Sequence, residues 1–213
     1  MTEEQTARAD LAAAYRQVAD TGLNQLSSGN LSVRFADGML ISPTGASSET
    51  ITEDALVFVD GQGRWAAGQR PSSEWQMHTA IYRDVPGANA IVHTHSDYCV
   101  AVACQNQPLP GFHYLIGLFG GDDVPCVPYS TFGGEELGEA AAAALLQRKA
   151  CLLANHGMIA HGPTLKAAVG LAHRLEIMCR QYVLTRQLGE PTLLTQTHWD
   201  DFFAKVKQAN YRN

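Results

Sequence analysis

LSVRFADGMLIS, residues 31–42, is the stretch on which the fold turns. LSVRF alternates apolar and polar side chains, as a strand with two unlike faces does, and MLIS is a second strand-forming run. Ala36-Asp37-Gly38 stands between them, so the pair reads as a β-hairpin with antiparallel arms. LVFVD, residues 56–60, running into Gly61-Gln62-Gly63, is a further strand and turn. Consecutive strands are therefore not all separated by helices, and the regular alternation of a doubly wound parallel sheet is missing. Nor does any Gly-x-Gly-x-x-Gly follow a strand, which removes the dinucleotide fingerprint. The expectation is α/β, one domain over residues 1–213 on a mixed, largely antiparallel sheet.

Working outward from the hairpin, Thr2 and Gln5 have capping-box spacing before a helix reaching about Asp20, and Gly22 suits its exit. Further on come a helix through WQMHTAIYRD, a strand AIVHTH, a helix capped by Ser96 or Asp97, and an irregular stretch over 105–121. VPCVPY is a short strand interrupted by prolines, which places it at a sheet edge. EELGEAAAAALLQ is rich in helix formers, ACLLANH reads as a buried strand, and helices over about Thr164–Leu188 and from about His198 close the chain.

The formal charge of −6 leaves no basic stripe, so the sequence excludes nucleic acid as a partner, and no apolar run is long enough to span a membrane. MTEEQTARADLAAAYRQ begins acidic and helical, unlike a signal peptide, so the expected location is cytoplasmic. Five cysteines without a Cys-x-x-Cys spacing indicate neither a disulfide framework nor a thiolate zinc site.

Four residues carry the chemistry: Glu74 in PSSEWQMH, His93 and His95 in AIVHTHSD, and His156 in LLANHGMIA. Imidazole and carboxylate suit a borderline divalent ion such as Zn²⁺. In a strand, His93 and His95 point to one face and can share an ion. His156 precedes Gly157 at a strand end, and Ser72 or Ser73 would cap a helix whose first turn holds Glu74. His78, four residues beyond Glu74 on the same helix face, is either packed or a partner of the ligands. Three further segments, Ser27-Ser28-Gly29-Asn30, Ser42-Pro43-Thr44-Gly45 and Ser72-Ser73, offer hydroxyls, an amide and open backbone N–H groups suited to a phosphate.

The ordered set GLNQLSSGNLSVR, DGMLISPTG, PSSEWQMH, VHTHSDYC, HYLIGLFGGDDVPCVPYSTFG and NHGMIA resembles the class II aldolase/adducin family over nearly the whole chain. The resemblance implies a three-layer αβα fold and a C4 homotetramer with active sites at subunit interfaces. It implies Zn²⁺ on His93, His95 and His156, with Mn²⁺, Co²⁺ or Fe²⁺ as possible replacements. Glu74 becomes the acid/base, able also to coordinate the metal when substrate is absent. Ser27, Asn30, Thr44, Gly45, Ser72 and Ser73 become the phosphate pocket, and Tyr114 reaches into the adjoining subunit's site. Tyr211, in KVKQANYRN, stands near the place of the family's tail tyrosine.

The implied reaction is reversible cleavage of a ketose 1-phosphate, L-fuculose 1-phosphate or a 5-deoxy or 5-methylthio relative, to dihydroxyacetone phosphate and a small aldehyde. Other members of the superfamily epimerise, dehydrate or decarboxylate phosphorylated sugars, and adducin shows the fold as a noncatalytic scaffold. Loss of the metal ligands would mark a scaffold, and here all four residues are present.

Overall fold

A computed structural model describes residues 1–209. The hairpin forms as read: β1 (Asn30–Phe35) lies antiparallel to β2 (Gly38–Ile41), with Phe35 opposite Gly38. β3 (Val57–Val59) pairs with β2, and β4 (Ala90–Thr94) takes the other side of β1. β5 (Cys126–Val127), β6 (Ala150–Leu153) and β7 (Gly157–Gly162) complete a seven-stranded sheet of order β3-β2-β1-β4-β7-β6-β5. Every pairing is antiparallel except β5 with β6, so the sheet is mixed and largely antiparallel. The proline-flanked strand β5 sits at the edge, where its missing N–H donors cost nothing.

Strand alternation sorts the core into two layers. Leu31, Leu40, Val92, Leu152, Met158 and Ala160 pack on one face, beneath α1 (Glu3–Asp20), α3 (Asp97–Ala103) and α5 (Leu165–Leu188). Met39, Ile41, Ile91, Cys151, Leu153 and Ile159 pack on the other, beneath α2 (Trp75–Asp84) and α4 (Glu135–Leu145). The architecture is thus a three-layer αβα sandwich. The capping box forms at Thr2 and Gln5, and Gly22 leaves α1 at a φ of 81°.

The structure departs from the sequence reading in four places. β6 stops at Leu153, so Asn155 and His156 lie in a turn, and β7 follows where no strand was expected. All six β7 residues are buried; covered on both faces, the strand has no polar alternation to reveal it. Within the stretch expected to be irregular, Tyr114–Phe119 forms a 3₁₀ helix, with Phe202 of α6 (Gln196–Gln208) seated against Gly117. Glu74 is the N-cap residue of α2, one position before the helix and not within its first turn; Ser72 Oγ accepts from the Glu74 N–H at 3.3 Å. Finally, Ser96 stands at the N-cap of α3 without a side-chain capping bond. Glu176 of α5 supplies the cap from afar, accepting from the N–H groups of Tyr98 at 3.0 Å and Cys99 at 2.9 Å. Among the described residues no helix is long and apolar enough to cross a membrane.

Candidate active site

Register assembles the site. Asn30 on β1 lies opposite His93 on β4, and β4 in turn pairs with β7 beside the β6–β7 turn that carries His156. His95 follows the end of β4, and Glu74 enters from the start of α2. The three imidazoles stand edge to face, with centroids 4.8 Å (His93–His95), 4.9 Å (His93–His156) and 4.7 Å (His95–His156) apart. Glu74 Oε2 lies 2.9 Å from His93 Nε2 and Glu74 Oε1 lies 3.4 Å from His156 Nε2. One candidate ligand atom from each of the four residues falls within 4.8 Å of all the others.

These groups fit a divalent ion. His93 Nδ1 donates to the Met158 carbonyl at 2.8 Å, which leaves Nε2 as the lone-pair nitrogen of a neutral ring. That nitrogen lies 2.9 Å from His95 Nε2 and 2.9 Å from Glu74 Oε2, so three potential ligand atoms converge on one point. Zn–N bonds of about 2.0–2.1 Å in a tetrahedron would set such nitrogens roughly 3.3 Å apart, a small expansion of what is seen. Glu74 Oε1 is buried and has no hydrogen-bond partner, the state of a carboxylate oxygen that awaits a cation.

Electrostatics agree. Burial works to raise the Glu74 carboxyl, yet His93, His156 and the Asn30 amide outweigh it and hold the group well below the usual carboxylate range. Burial also pulls His93 toward neutrality, but the Glu74 charge overcomes it and raises the ring's pKa. His95 and His156 go the other way, to about 4, through burial and the charge of His93. One anion among three imidazoles, two of them reluctant to protonate, is a donor set that fits a divalent ion.

Beside the cluster opens a cavity of about 360 Å³, within the range of small-molecule sites. Ser27, Asn30, Thr44, Gly45, Ser72 and Ser73 all line it, together with Glu74, His95 and His156. Its wall is built by backbone bonds between distant segments: Ser72 N–H to the Ser42 carbonyl at 3.0 Å and Thr44 N–H to the Arg70 carbonyl at 3.1 Å. Gly29, at a φ of 78°, lets the Ser27–Asn30 turn press against the sheet, since a Cβ there would meet the His93 carbonyl at 2.7 Å and collide with the Asn24 side chain.

Asn30, which lines the cavity, has a second set of partners: Nδ2 donates to Glu74 Oε2 at 3.0 Å and Oδ1 faces His78 Nε2 at 2.6 Å. A strand residue opposite His93 brings its side chain to the same cluster of candidate ligands, which the turn-like context of residues 27–30 concealed. His78 is therefore a partner of the site and not only a packed ring.

Tyr114 lies outside this cavity, 55% exposed on the 3₁₀ helix and stacked on His113. Tyr211 falls outside the described residues. The cavity also contains residues that sequence reasoning passed over: Tyr129, Ser130, Phe132 and Asn155. Phe132 and Tyr129 were legible only as members of a loop after β5, and their exposure of 64% and 62% is the signal that structure adds. Asn155 holds a φ of 55°, the left-handed conformation that Asn tolerates and that turns the chain before His156.

Residues 9–183 match the family model described as "Class II Aldolase and Adducin N-terminal domain". This chain belongs to the class II aldolase and adducin family. It is 48% identical over 183 residues to the L-fuculose phosphate aldolase of Escherichia coli O6:H1, covering 83% of this chain and 85% of the relative. A 5-methylthioribulose-1-phosphate/5-deoxyribulose-1-phosphate aldolase of Rhodospirillum rubrum is 44% identical over 194 residues, 91% of this chain and 88% of its own. Among solved structures, an L-fuculose 1-phosphate aldolase superposes with a TM-score of 0.89 at 34% identity, covering 97% of this chain and 98% of the other.

Proposed function

We propose that this chain is a zinc-dependent class II aldolase that reversibly cleaves a ketose 1-phosphate to dihydroxyacetone phosphate and a small aldehyde. The substrate is L-fuculose 1-phosphate or a 5-deoxy or 5-methylthio ketose 1-phosphate, the classes on which relatives of 48% and 44% identity are named to act. The observation that carries the reading is the shared cavity: the Glu74, His93, His95, His156 cluster adjoins one wall, and the hydroxyl-bearing residues Ser27, Thr44, Ser72 and Ser73 line the same space of about 360 Å³. A phosphate held by those hydroxyls and by the backbone at Gly45 sets the ketose carbons toward Glu74.

When bound, a divalent ion on His93, His95 and His156 supplies Lewis-acid stabilisation for the charge that reaches the C2 oxygen as the C3–C4 bond breaks. The C4 hydroxyl gives up its proton as the aldehyde forms, and the C3–C4 electron pair passes to C3 and the C2 oxygen. Tyr114 from a neighbouring subunit exchanges the proton at the aldehyde oxygen, and Glu74 delivers a proton to C3. Tyr114 is exposed and lies outside its own chain's cavity, so in this reading it acts on the site of a neighbouring subunit of a homotetramer.

The test is release of dihydroxyacetone phosphate by metal-quantified protein from L-fuculose, L-rhamnulose, L-ribulose, 5-deoxyribulose and 5-methylthioribulose 1-phosphates, with chelated protein as control. Metal-dependent release supports the aldolase, and the ranking names its aldehyde. Bound zinc without triose release from any of them overturns it in favour of epimerase, dehydratase or decarboxylase chemistry, and absence of metal binding in favour of a scaffold.

A further inference from the structure

Glu74 is the last link of a buried chain of hydrogen bonds that none of the roles above uses. Tyr82 Oη lies 2.8 Å from Ser32 Oγ, Ser32 Oγ 2.6 Å from His78 Nδ1, His78 Nε2 2.6 Å from Asn30 Oδ1, and Asn30 Nδ2 3.0 Å from Glu74 Oε2. Ser32 and His78 are wholly buried, and Asn30, Glu74 and Tyr82 nearly so. Ser32, His78 and Asn30, between the two ends, each have one partner on either side.

The proton positions along this line follow from the carboxylate outward. An ionised Glu74 only accepts, so Asn30 must turn its NH₂ toward it and its carbonyl toward His78. His78 Nε2 must then carry the proton, Nδ1 must accept, Ser32 must donate to Nδ1, and Tyr82 must donate to Ser32. No link can reverse without setting two acceptors or two donors against each other. With one ring nitrogen donating and the other accepting, His78 is a neutral imidazole in this order.

We infer that His78 is a positioning residue: it fixes the Asn30 amide, and through it the orientation of the Glu74 carboxylate at the metal and the reacting carbon. The inference rests on the aldolase reading for its effect on turnover, and on the ligand cluster alone for its effect on metal. Without the His78 donor, Asn30 Oδ1 is left buried and unpartnered and the amide is anchored at its Glu74 end alone, which loosens the set orientation of the carboxylate. A ring that merely filled space would not have both nitrogens 2.6 Å from polar partners.

The test uses zinc-loaded full-length protein and compares His78→Phe with His78→Gln. Phe keeps the bulk and removes both polar ring atoms, whereas the Gln amide NH₂ can still donate to Asn30. Zinc affinity is measured by chelator competition, and kcat and KM with the best ketose 1-phosphate. For His78→Phe the expected result is zinc held about tenfold more weakly and kcat lower by about tenfold or more, with KM within about twofold of wild type. His78→Gln should recover both to within about threefold of wild type. Wild-type zinc affinity in His78→Phe overturns the inference, and so does equal impairment of the two variants, which would mark a packing role. Should His78→Phe fail to fold, Ser32→Ala removes only the hydroxyl that sets the tautomer, and unchanged zinc affinity there overturns the inference equally. If wild type binds zinc but releases no triose, the aldolase reading falls while the zinc affinities still decide the role of His78.

Discussion

The two faces of the central sheet are built to different rules. Under α1, α3 and α5 the strands contribute Leu31, Leu40, Val92, Leu152, Met158 and Ala160, a continuous apolar layer. Under α2 and α4 the apolar layer formed by Met39, Ile41, Ile91 and Ile159 is interrupted beside β1 by Ser32, His78, Tyr82, Asn30 and Glu74, buried and joined to one another. Burying five polar side chains is costly unless each finds a partner, so this line is tolerated because each member bonds its neighbour and the line ends at a charge. One face supplies stability and the other spends some of it to hold a carboxylate in place.

The largest effect expected from this difference is at the end of the polar line. Glu74→Gln keeps the shape of the side chain and removes the group that, in the proposed reaction, carries a proton to C3, so turnover should fall by about 10²–10⁴-fold while His93, His95 and His156 retain metal. Metal content and dihydroxyacetone phosphate release measured on one preparation check it. Wild-type turnover in a metal-loaded variant would remove Glu74 from the chemistry and reduce the polar face to a structural feature.

Next comes the apolar face. Leu152 is fully buried between sheet and helices, and Leu152→Ala should cost about 2–5 kcal/mol of unfolding free energy through lost burial and the cavity left behind. At a temperature where the variant is still folded, kcat and zinc affinity should stay near wild type. Denaturant titration with kinetics on the same samples decides the matter. A parallel loss of zinc affinity would show that the two faces are coupled and break the contrast.

A third expectation concerns pH. In the unfolded chain His78 takes up a proton near pH 6.5, whereas in the folded chain it resists down to about 3. Between those values the unfolded state binds the extra proton, so its contribution is complete above about pH 6.5 and is lost progressively as pH falls. The slope from this one group is at most about 1.4 kcal/mol per pH unit. Metal-free wild type and His78→Phe, unfolded by denaturant at pH 6 and pH 4.5, should differ in slope by that order, with the variant the flatter. Parallel slopes would mean that His78 is not held neutral by the fold.

Much of this was legible in the sequence, and what escaped has physical causes. LSVRFADGMLIS yielded its hairpin because one strand alternates and the turn residues punctuate it. The helix bounded by Thr164 and Gly189 was readable from its ends and length. β7 escaped because a strand buried on both sides shows no period, and its hairpin partner β6 was read through into the turn. The candidate ligands are legible as residue types, but their convergence depends on register. The use of Asn30 was hidden altogether, because its partners lie 44 and 48 residues away and its local sequence resembles a turn. Glu176, capping α3 from 77 and 78 residues downstream, was hidden for the same reason. Hydrogen bonds between elements are chosen by packing, and a linear pattern does not record them.

The smallest expected effect is also the finest discriminator between the faces. Each face contains one buried tyrosine whose hydroxyl makes a single strong bond: Tyr15 on the apolar side donates to the Ala46 carbonyl at 2.7 Å, and Tyr82 on the polar side meets Ser32 Oγ at 2.8 Å. Burial pushes Tyr15 up to about 12 and raises Tyr82 further, so both hydroxyls stay protonated and both donate. Tyr15→Phe and Tyr82→Phe each delete one oxygen and leave one buried acceptor short of a donor. Each should therefore cost about 1–2 kcal/mol of stability. Their functional consequences should part company, because the Tyr15 bond to the Ala46 carbonyl does not join the hydrogen-bonded line that ends at Glu74, whereas Ser32 donates to His78. Without the Tyr82 proton Ser32 is less firmly held as a donor, and the loss passes along His78 and Asn30 to Glu74, weakening zinc binding about twofold to threefold, a few tenths of a kcal/mol. Tyr15→Phe should bind zinc as wild type does. If both variants lose stability equally and both leave zinc affinity untouched, the polar line ends functionally at His78, and Tyr82 belongs with the packing of α2.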